Sequence, residues 1–79
     1  MDVTLKSLAV GDRARVVGFT QGGTPYRRML LSMGLTLGAE FSVLRVAPLG
    51  DPMEIRVRGY SLSLRKHEAD VLRVRRLER

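Results

Sequence analysis

The chain has 79 residues, a formal net charge of +6 at pH 7, 44% hydrophobic residues and no cysteine. This length favours one small domain, residues 1–79, with a single modest core, and the absence of cysteine excludes disulfides, thiolate zinc sites and thiol nucleophiles. No apolar run reaches the roughly 18–20 residues of a membrane span, and the N-terminus lacks the basic-then-apolar order of a signal peptide. We therefore expect a soluble protein without direct membrane insertion.

The first predicted elements are a strand and a helix. Residues 13–19, RARVVGF, alternate charged and apolar positions, which is typical of a half-buried strand. After a turn at residues 21–23, the run TPYRRMLLSMG has the signals of a helix: Thr24 as N-cap, Pro25 at the first helical position and Gly34 as the left-handed residue after its end.

Helical periodicity separates two faces of this helix. A step of about 100° per residue gathers four apolar residues within one arc, which we expect to pack on the core. They are Tyr26, Met29, Leu30 and Met33. Leu31 falls outside this arc, on the side of Arg27, and is therefore expected to be exposed.

Arg27 and Arg28 lie where the helix macrodipole is already positive, and each is expected to oppose helix formation by about 0.3–1 kcal/mol. Two interpretations stay open. One arginine pairs with a carboxylate elsewhere in the fold, such as Glu40 or Asp51. Alternatively, both flank Leu31 in a docking patch for another protein, with an apolar centre and guanidinium edges.

The second half of the chain reads as short strands and turns. The β-branched segment 40–46 predicts a strand whose inward face the pattern does not identify, and two prolines and a glycine make residues 47–52 a loop. Clean alternation predicts a hairpin and a last strand, separated by a single helical turn. These elements are residues 54–58, 60–65, 66–70 and 71–75.

Five short strands in so small a chain cannot cover both faces of an open sheet. The predicted fold is therefore mainly β: a small five-stranded antiparallel barrel with one inserted α-helix over an opening and a short C-terminal helical turn. Six residues should face the interior: Val16, Ile55, Val57, Leu62, Leu64 and Val74.

The chain lacks the residues of a plausible enzyme. His67 is the only imidazole, and the eight carboxylates show no close pair placed for acid and base roles. The Gly22-Gly23-Thr24 segment is better explained as a turn with an N-cap than as a phosphate cradle, since no Walker pattern follows. No cofactor is required by any motif.

One weak metal site is conceivable in the predicted C-terminal turn. His67, Glu68 and Asp70 together offer a nitrogen and oxygens to a divalent ion such as iron or zinc, but they fall short of a closed ligand set. A solvated turn is the favoured interpretation, and a metal shared between two weakly associating copies is the alternative.

Nucleic acid is the alternative partner. A sequence pI near 11.1 suits a small basic barrel that binds phosphates non-specifically. Against it, the chain has only four aromatic residues, Phe19, Tyr26, Phe41 and Tyr60, and its arginines do not cluster in the sequence. An acidic protein surface would bind these arginines equally well.

Several segments in combination carry a resemblance to a known family. YRRMLLSMGL, VAPLGDP and SLSLRKHEA lie in the order typical of the ferrous iron transport protein A (FeoA) family, and the opening LKSLAVGDRARVVGF is similar to that family as well. The chain departs from the family's GLxPG turn at one position, where Leu37 stands in place of proline.

The resemblance implies an SH3-like barrel with an inserted helix and no catalytic activity. It also implies a cytoplasmic accessory role beside the membrane ferrous iron transporter, whose soluble part hydrolyses GTP, so that the protein would lie peripheral to the inner membrane. Whether it activates GTP hydrolysis, assembles the transporter or gates it is not determined by the residues.

On this interpretation the transporter is the partner for which Arg27, Arg28 and Leu31 are displayed. The loop formed by Pro48, Leu49, Gly50, Asp51 and Pro52 either joins the same contact or only shapes the following hairpin. Both interpretations stay open.

Overall fold

A computed structural model describes residues 2–20 and 24–77 of the chain. These contain six strands, two α-helices and a 3₁₀ turn at Leu5–Ser7. In chain order the strands and helices are β1 (Asp2–Thr4), β2 (Arg13–Phe19), α1 (Thr24–Ser32), β3 (Glu40–Val46), β4 (Met53–Val57), β5 (Tyr60–Leu64), α2 (Lys66–Ala69) and β6 (Leu72–Leu77). The predicted turn at residues 21–23, with most of the glycine-rich segment before α1, lies outside the described residues.

All six strands belong to one antiparallel sheet with the order β1-β6-β2-β3-β4-β5. The sheet curls around a single apolar cluster, as in an SH3-like barrel, so the predicted mainly β fold with an inserted helix is confirmed. The predicted number of five strands is one too few. The sixth is β1, which places Val3 opposite Val74 of β6; a three-residue strand is too short to show alternation.

The core draws on every part of the described chain. Of the six residues predicted to face the interior, five are buried and Leu62 is half-buried against the cluster. The sequence pattern missed the buried residues outside the strands, which include Leu5, Leu8, Leu35 and Ala69.

A β-bulge decides which face of β3 points inward. Phe41 and Val43 are buried, and the pairing with β4 shifts register between Val43 and Arg45. The extra residue, Leu44, is thereby turned outward and is 39% exposed. The two apolar faces of this segment therefore have a structural cause that its composition does not show.

The C-terminus of α1 has the Schellman hydrogen bonds. The N–H of Leu35 donates to the carbonyl of Leu30 (3.0 Å) and the N–H of Gly34 to that of Leu31 (3.1 Å). Gly34 has φ +96°, the left-handed conformation predicted for it. Because Leu30 and Leu35 are both fully buried, the same turn that ends the helix also fixes it to the core.

Two contacts define how α1 lies beside β5. The Tyr60 hydroxyl, at the start of β5, donates to the carbonyl of Met33 at the helix end. The ring of Tyr26, in the first turn of the helix, lies 5.4 Å from the ring of His67, which follows β5 in α2. The helix thus runs antiparallel to an edge strand, with each end held by a side-chain contact.

Candidate functional site

The outer face of α1 carries the residues predicted to dock a partner. Arg27, Arg28 and Leu31 are all exposed, whereas Leu30 is fully buried. We call these three exposed residues the helix patch. Met29 and Met33 pack against the core from half-buried positions, as periodicity predicts.

The prediction that Tyr26 packs on the core is wrong. Its side chain is 38% exposed, because it lies in the first turn of α1 and its ring contacts His67. Helical periodicity assigns a direction around the axis but not how far the core extends along it.

The positive charge at the start of α1 is not neutralised by the carboxylates considered from the sequence. Glu40 binds Arg13 (Nη2 to Oε1, 3.3 Å) and Arg15 (Nη2 to Oε2, 2.9 Å). Asp51 accepts a hydrogen bond from the backbone N–H of Lys66 (3.1 Å). Neither carboxylate is engaged with the helix patch, so the intramolecular ion-pair interpretation fails for both.

The guanidinium of Arg27 instead lies over the Phe19 ring, 5.1 Å from its centroid. Such a cation–π contact contributes about 0.5–1 kcal/mol at an exposed site and leaves the charge in place. Arg28 forms no ion pair with any described residue. The described first turn of α1 also has no acidic residue. The helix patch therefore presents two uncompensated positive charges beside an exposed leucine.

The second predicted docking segment projects as a tight loop between β3 and β4. Gly50 N–H donates to the carbonyl of Ala47 (2.7 Å), and Ala47 N–H donates to that of Pro52 (3.1 Å), so both ends of the loop are tied together. Leu49, next to Pro48 at the tip, is 96% exposed. An apolar side chain held so far into solvent by a closed turn has no role in the core.

The α2 turn connects the two segments. Its first backbone N–H, at Lys66, is bound by Asp51 of the loop, and its His67 contacts Tyr26 of the helix. The helix patch and the β3–β4 loop therefore lie on either side of α2. Sequence reasoning missed His67 and Tyr26 as this link, and no local signal identifies a contact across 41 positions of separation.

The structure does not gather the three residues of the predicted weak metal site. Glu68 accepts the N–H of Arg65 (2.8 Å) in a capping box, Asp70 lies 3.9 Å from Lys6, and His67 contacts Tyr26. Within residues 2–20 and 24–77 no group of three His, Asp or Glu side chains is placed to hold a metal ion. The prediction of an intramolecular iron or zinc site in this turn is therefore corrected.

Glu40 is the one carboxylate whose pKa shift follows from the geometry. The hydrogen bond from Arg15 and the positive charges of Arg15 and Arg13 outweigh desolvation and hold its pKa below the ordinary value of 4.5. A carboxyl whose folded pKa is depressed stabilises the fold above its unfolded pKa, and that contribution is lost as pH falls through the folded value.

We therefore expect wild type to be more stable than Glu40→Gln near neutral pH. The difference in their free energies of unfolding should shrink as the pH is lowered from about 5 toward 3. Urea unfolding of both proteins across this range measures it. A constant difference at all pH values would contradict the ionic contribution of Glu40.

Comparison with known proteins decides the family. The model of the FeoA domain matches residues 3–76, which is nearly the whole chain. The chain belongs to the FeoA family. A curated relative of this FeoA domain is the Fe(2+) transport protein A/Fe(2+) transporter FeoB fusion protein of Porphyromonas gingivalis, with 36% identity over 70 residues. The alignment covers 89% of the chain but only 8% of that relative.

Solved structures of related proteins show the same fold. A crystal structure of an iron uptake regulatory protein (FeoA) is 39% identical to this FeoA domain, with a TM-score of 0.86 over 98% of the chain and 100% of that structure. A manganese-dependent transcriptional repressor in complex with manganese has a TM-score of 0.88 at 19% identity, covering 96% of the chain and 37% of the repressor. At that identity the likeness shows a shared fold only.

None of the described helices is both long and apolar enough to cross a membrane.

Proposed function

We propose that this FeoA domain is a non-enzymatic accessory protein of ferrous iron uptake that docks on the cytoplasmic GTP-binding portion of the membrane ferrous iron transporter. The observation that carries the proposal is the relative in which Fe(2+) transport protein A and the transporter FeoB form one chain. Covalent fusion holds two domains at high effective concentration, which favours pairs that act in contact. The protein would then act at the cytoplasmic side of the membrane through its partner.

The helix patch is the proposed primary contact. Arg28 has no ion-pair partner among the described residues, and Arg27 keeps its charge above Phe19. Opposing carboxylates on the transporter would offset the unfavourable interaction of both charges with the helix dipole and would steer encounter. Leu31, 38% exposed between them in projection, would supply the apolar centre.

The β3–β4 loop is the proposed second contact. Leu49 is available at its tip, and the Asp51 hydrogen bond to Lys66 holds the loop beside α2. A pre-organised loop loses little conformational freedom on binding, so a single apolar side chain can contribute there. Truncation of this side chain separates a docking role from a purely shaping role, because the core does not contain it.

The test is a binding titration with the transporter's cytoplasmic domain. We expect Arg27→Gln/Arg28→Gln to weaken binding and Arg27→Glu/Arg28→Glu to weaken it by at least about tenfold, which is roughly 1.4 kcal/mol. The reversed variant should also show a slightly more stable helix, since acidic residues suit the first turn.

The matched control is Arg13→Gln/Arg56→Gln, which removes the same charge from the outer face of the sheet. It should bind the transporter domain like wild type. Equal weakening by both neutralised pairs would mean that net charge alone drives association, and unchanged binding by the reversed variant would exclude the helix patch as the contact.

A further inference from the structure

The barrel gathers arginines that are scattered in the sequence onto one side of its sheet. In β2 the exposed Arg13 and Arg15 alternate with buried residues, and in β6 the exposed Arg73 and Arg75 do the same. Arg56 occupies the equivalent exposed position in β4. We call these five residues the arginine face.

Strand register places these residues in rows across the sheet. Arg75 of β6 lies directly opposite Arg15 of β2, and Arg13 lies opposite Ser42 of β3, which in turn lies opposite Arg56. Neighbouring strands are about 4.8 Å apart, and like charges directly opposite each other destabilise a sheet. The arrangement is therefore not explained by pairing within the sheet.

Few carboxylates balance the arginine face. Glu40 lies between Arg13 and Arg15 and binds both, and the register places Asp2 opposite Arg75. Glu54, further along β4, is engaged at 3.9 Å by a different arginine, Arg45. The face keeps a net positive charge, consistent with the lowered pKa of the Glu40 carboxyl at its centre.

We propose that the arginine face binds the anionic phosphate headgroups of a membrane surface. Guanidinium groups bind phosphate oxygens through two parallel hydrogen bonds and stay charged at every physiological pH. Anionic leaflets attract surface-exposed arginines by charge, without insertion of the protein. The location of the membrane rests on the proposed transporter partner, whereas the charge pattern does not.

The arrangement of the face favours a lipid surface over nucleic acid. Its arginines spread over three strands in two dimensions, like headgroups in a leaflet, and not along one line. Base stacking needs exposed aromatic rings, but Phe41 is buried beneath this side of the sheet and Phe19 lies under Arg27. Tyr26 and Tyr60 both contact the α1 and α2 region.

The arginine face and the helix patch are separate surfaces. The arginines point outward from the sheet, whereas α1 packs Leu30 into the interior and lies beside β5. One molecule could thus lie against a leaflet while its helix contacts the transporter. Membrane contact would then restrict how the helix patch is presented to its partner.

The experiment is co-sedimentation of the protein with phosphatidylglycerol-containing vesicles and with pure phosphatidylcholine vesicles. Wild type should bind the anionic vesicles at physiological salt, dissociate at molar salt and ignore the neutral ones. Since each arginine near an anionic surface changes affinity by about fivefold, Arg13→Gln/Arg56→Gln should lose on the order of 10- to 25-fold. Arg27→Gln/Arg28→Gln should change by no more than about twofold, because its charges lie off the face.

Three results would overturn the assignment: no binding of wild type to the anionic vesicles, equal losses for the two pairs, or tighter retention of single-stranded RNA that the face variant abolishes. Arg56→Gln alone repeats the test if the double variant is misfolded, because Arg56 pairs with no described residue. The vesicles contain no transporter, so this result is independent of the docking titration.

Discussion

Replacing Leu30 with alanine is expected to lower the free energy of unfolding by about 2–5 kcal/mol. The side chain is fully buried, and its carbonyl accepts the Leu35 N–H that closes the helix. Its loss leaves a cavity beneath α1, between the helix and the sheet. Chemical denaturation followed by circular dichroism measures the change.

Leu31→Ala is the matched control, since it makes the same substitution one residue later. Leu31 is 38% exposed, so we expect at most about 0.5–1 kcal/mol of lost stability. The same variant should weaken binding to the transporter's cytoplasmic domain. Similar losses of stability for the two variants would show that the helix buries a different face, and the helix patch would have to be redefined.

Gly34→Ala is expected to destabilise the protein by about 1–2 kcal/mol from backbone strain alone. Gly34 has φ +96°, and a Cβ built there would lie 2.5 Å from the Tyr60 hydroxyl. The hydroxyl would have to move away and give up its hydrogen bond to Met33. The substitution therefore affects both the helix end and its attachment to β5.

A double-mutant cycle with Tyr60→Phe separates these two effects. Removal of the hydroxyl opens space for the new methyl group, so Gly34→Ala should be less destabilising in the Tyr60→Phe background than in wild type. Unfolding midpoints of the four proteins measure the coupling. Strict additivity would mean that backbone strain is the whole effect and that Tyr60 does not limit this position.

Together these variants separate the scaffold from the surface it presents. Leu30, Gly34 and Tyr60 hold α1 in place, whereas Arg27, Arg28 and Leu31 contribute little to that attachment. Exposed residues that oppose a local rule, without a compensating contact, tend to mark a functional site. The docking proposal depends on this separation, and the two sets of measurements test it independently.

The sequence by itself determined the local elements and the family. Alternation identified five of the six strands, and helix-end signals identified the left-handed Gly34, because both depend on neighbours within a few residues. The exposure of Leu31 followed from helical geometry in the same way. The combined segments of the chain also indicated the FeoA family, which the family model confirms.

The tertiary structure alone decided where the charges lie and what they contact. The pairing of β1, the bulge at Leu44, the Arg27 contact with Phe19 and the rows of the arginine face all join residues far apart in the chain. Periodicity gives the direction of a side chain within its own element, but not the register between elements. Register depends on how the whole core packs, and only a folded chain specifies that packing.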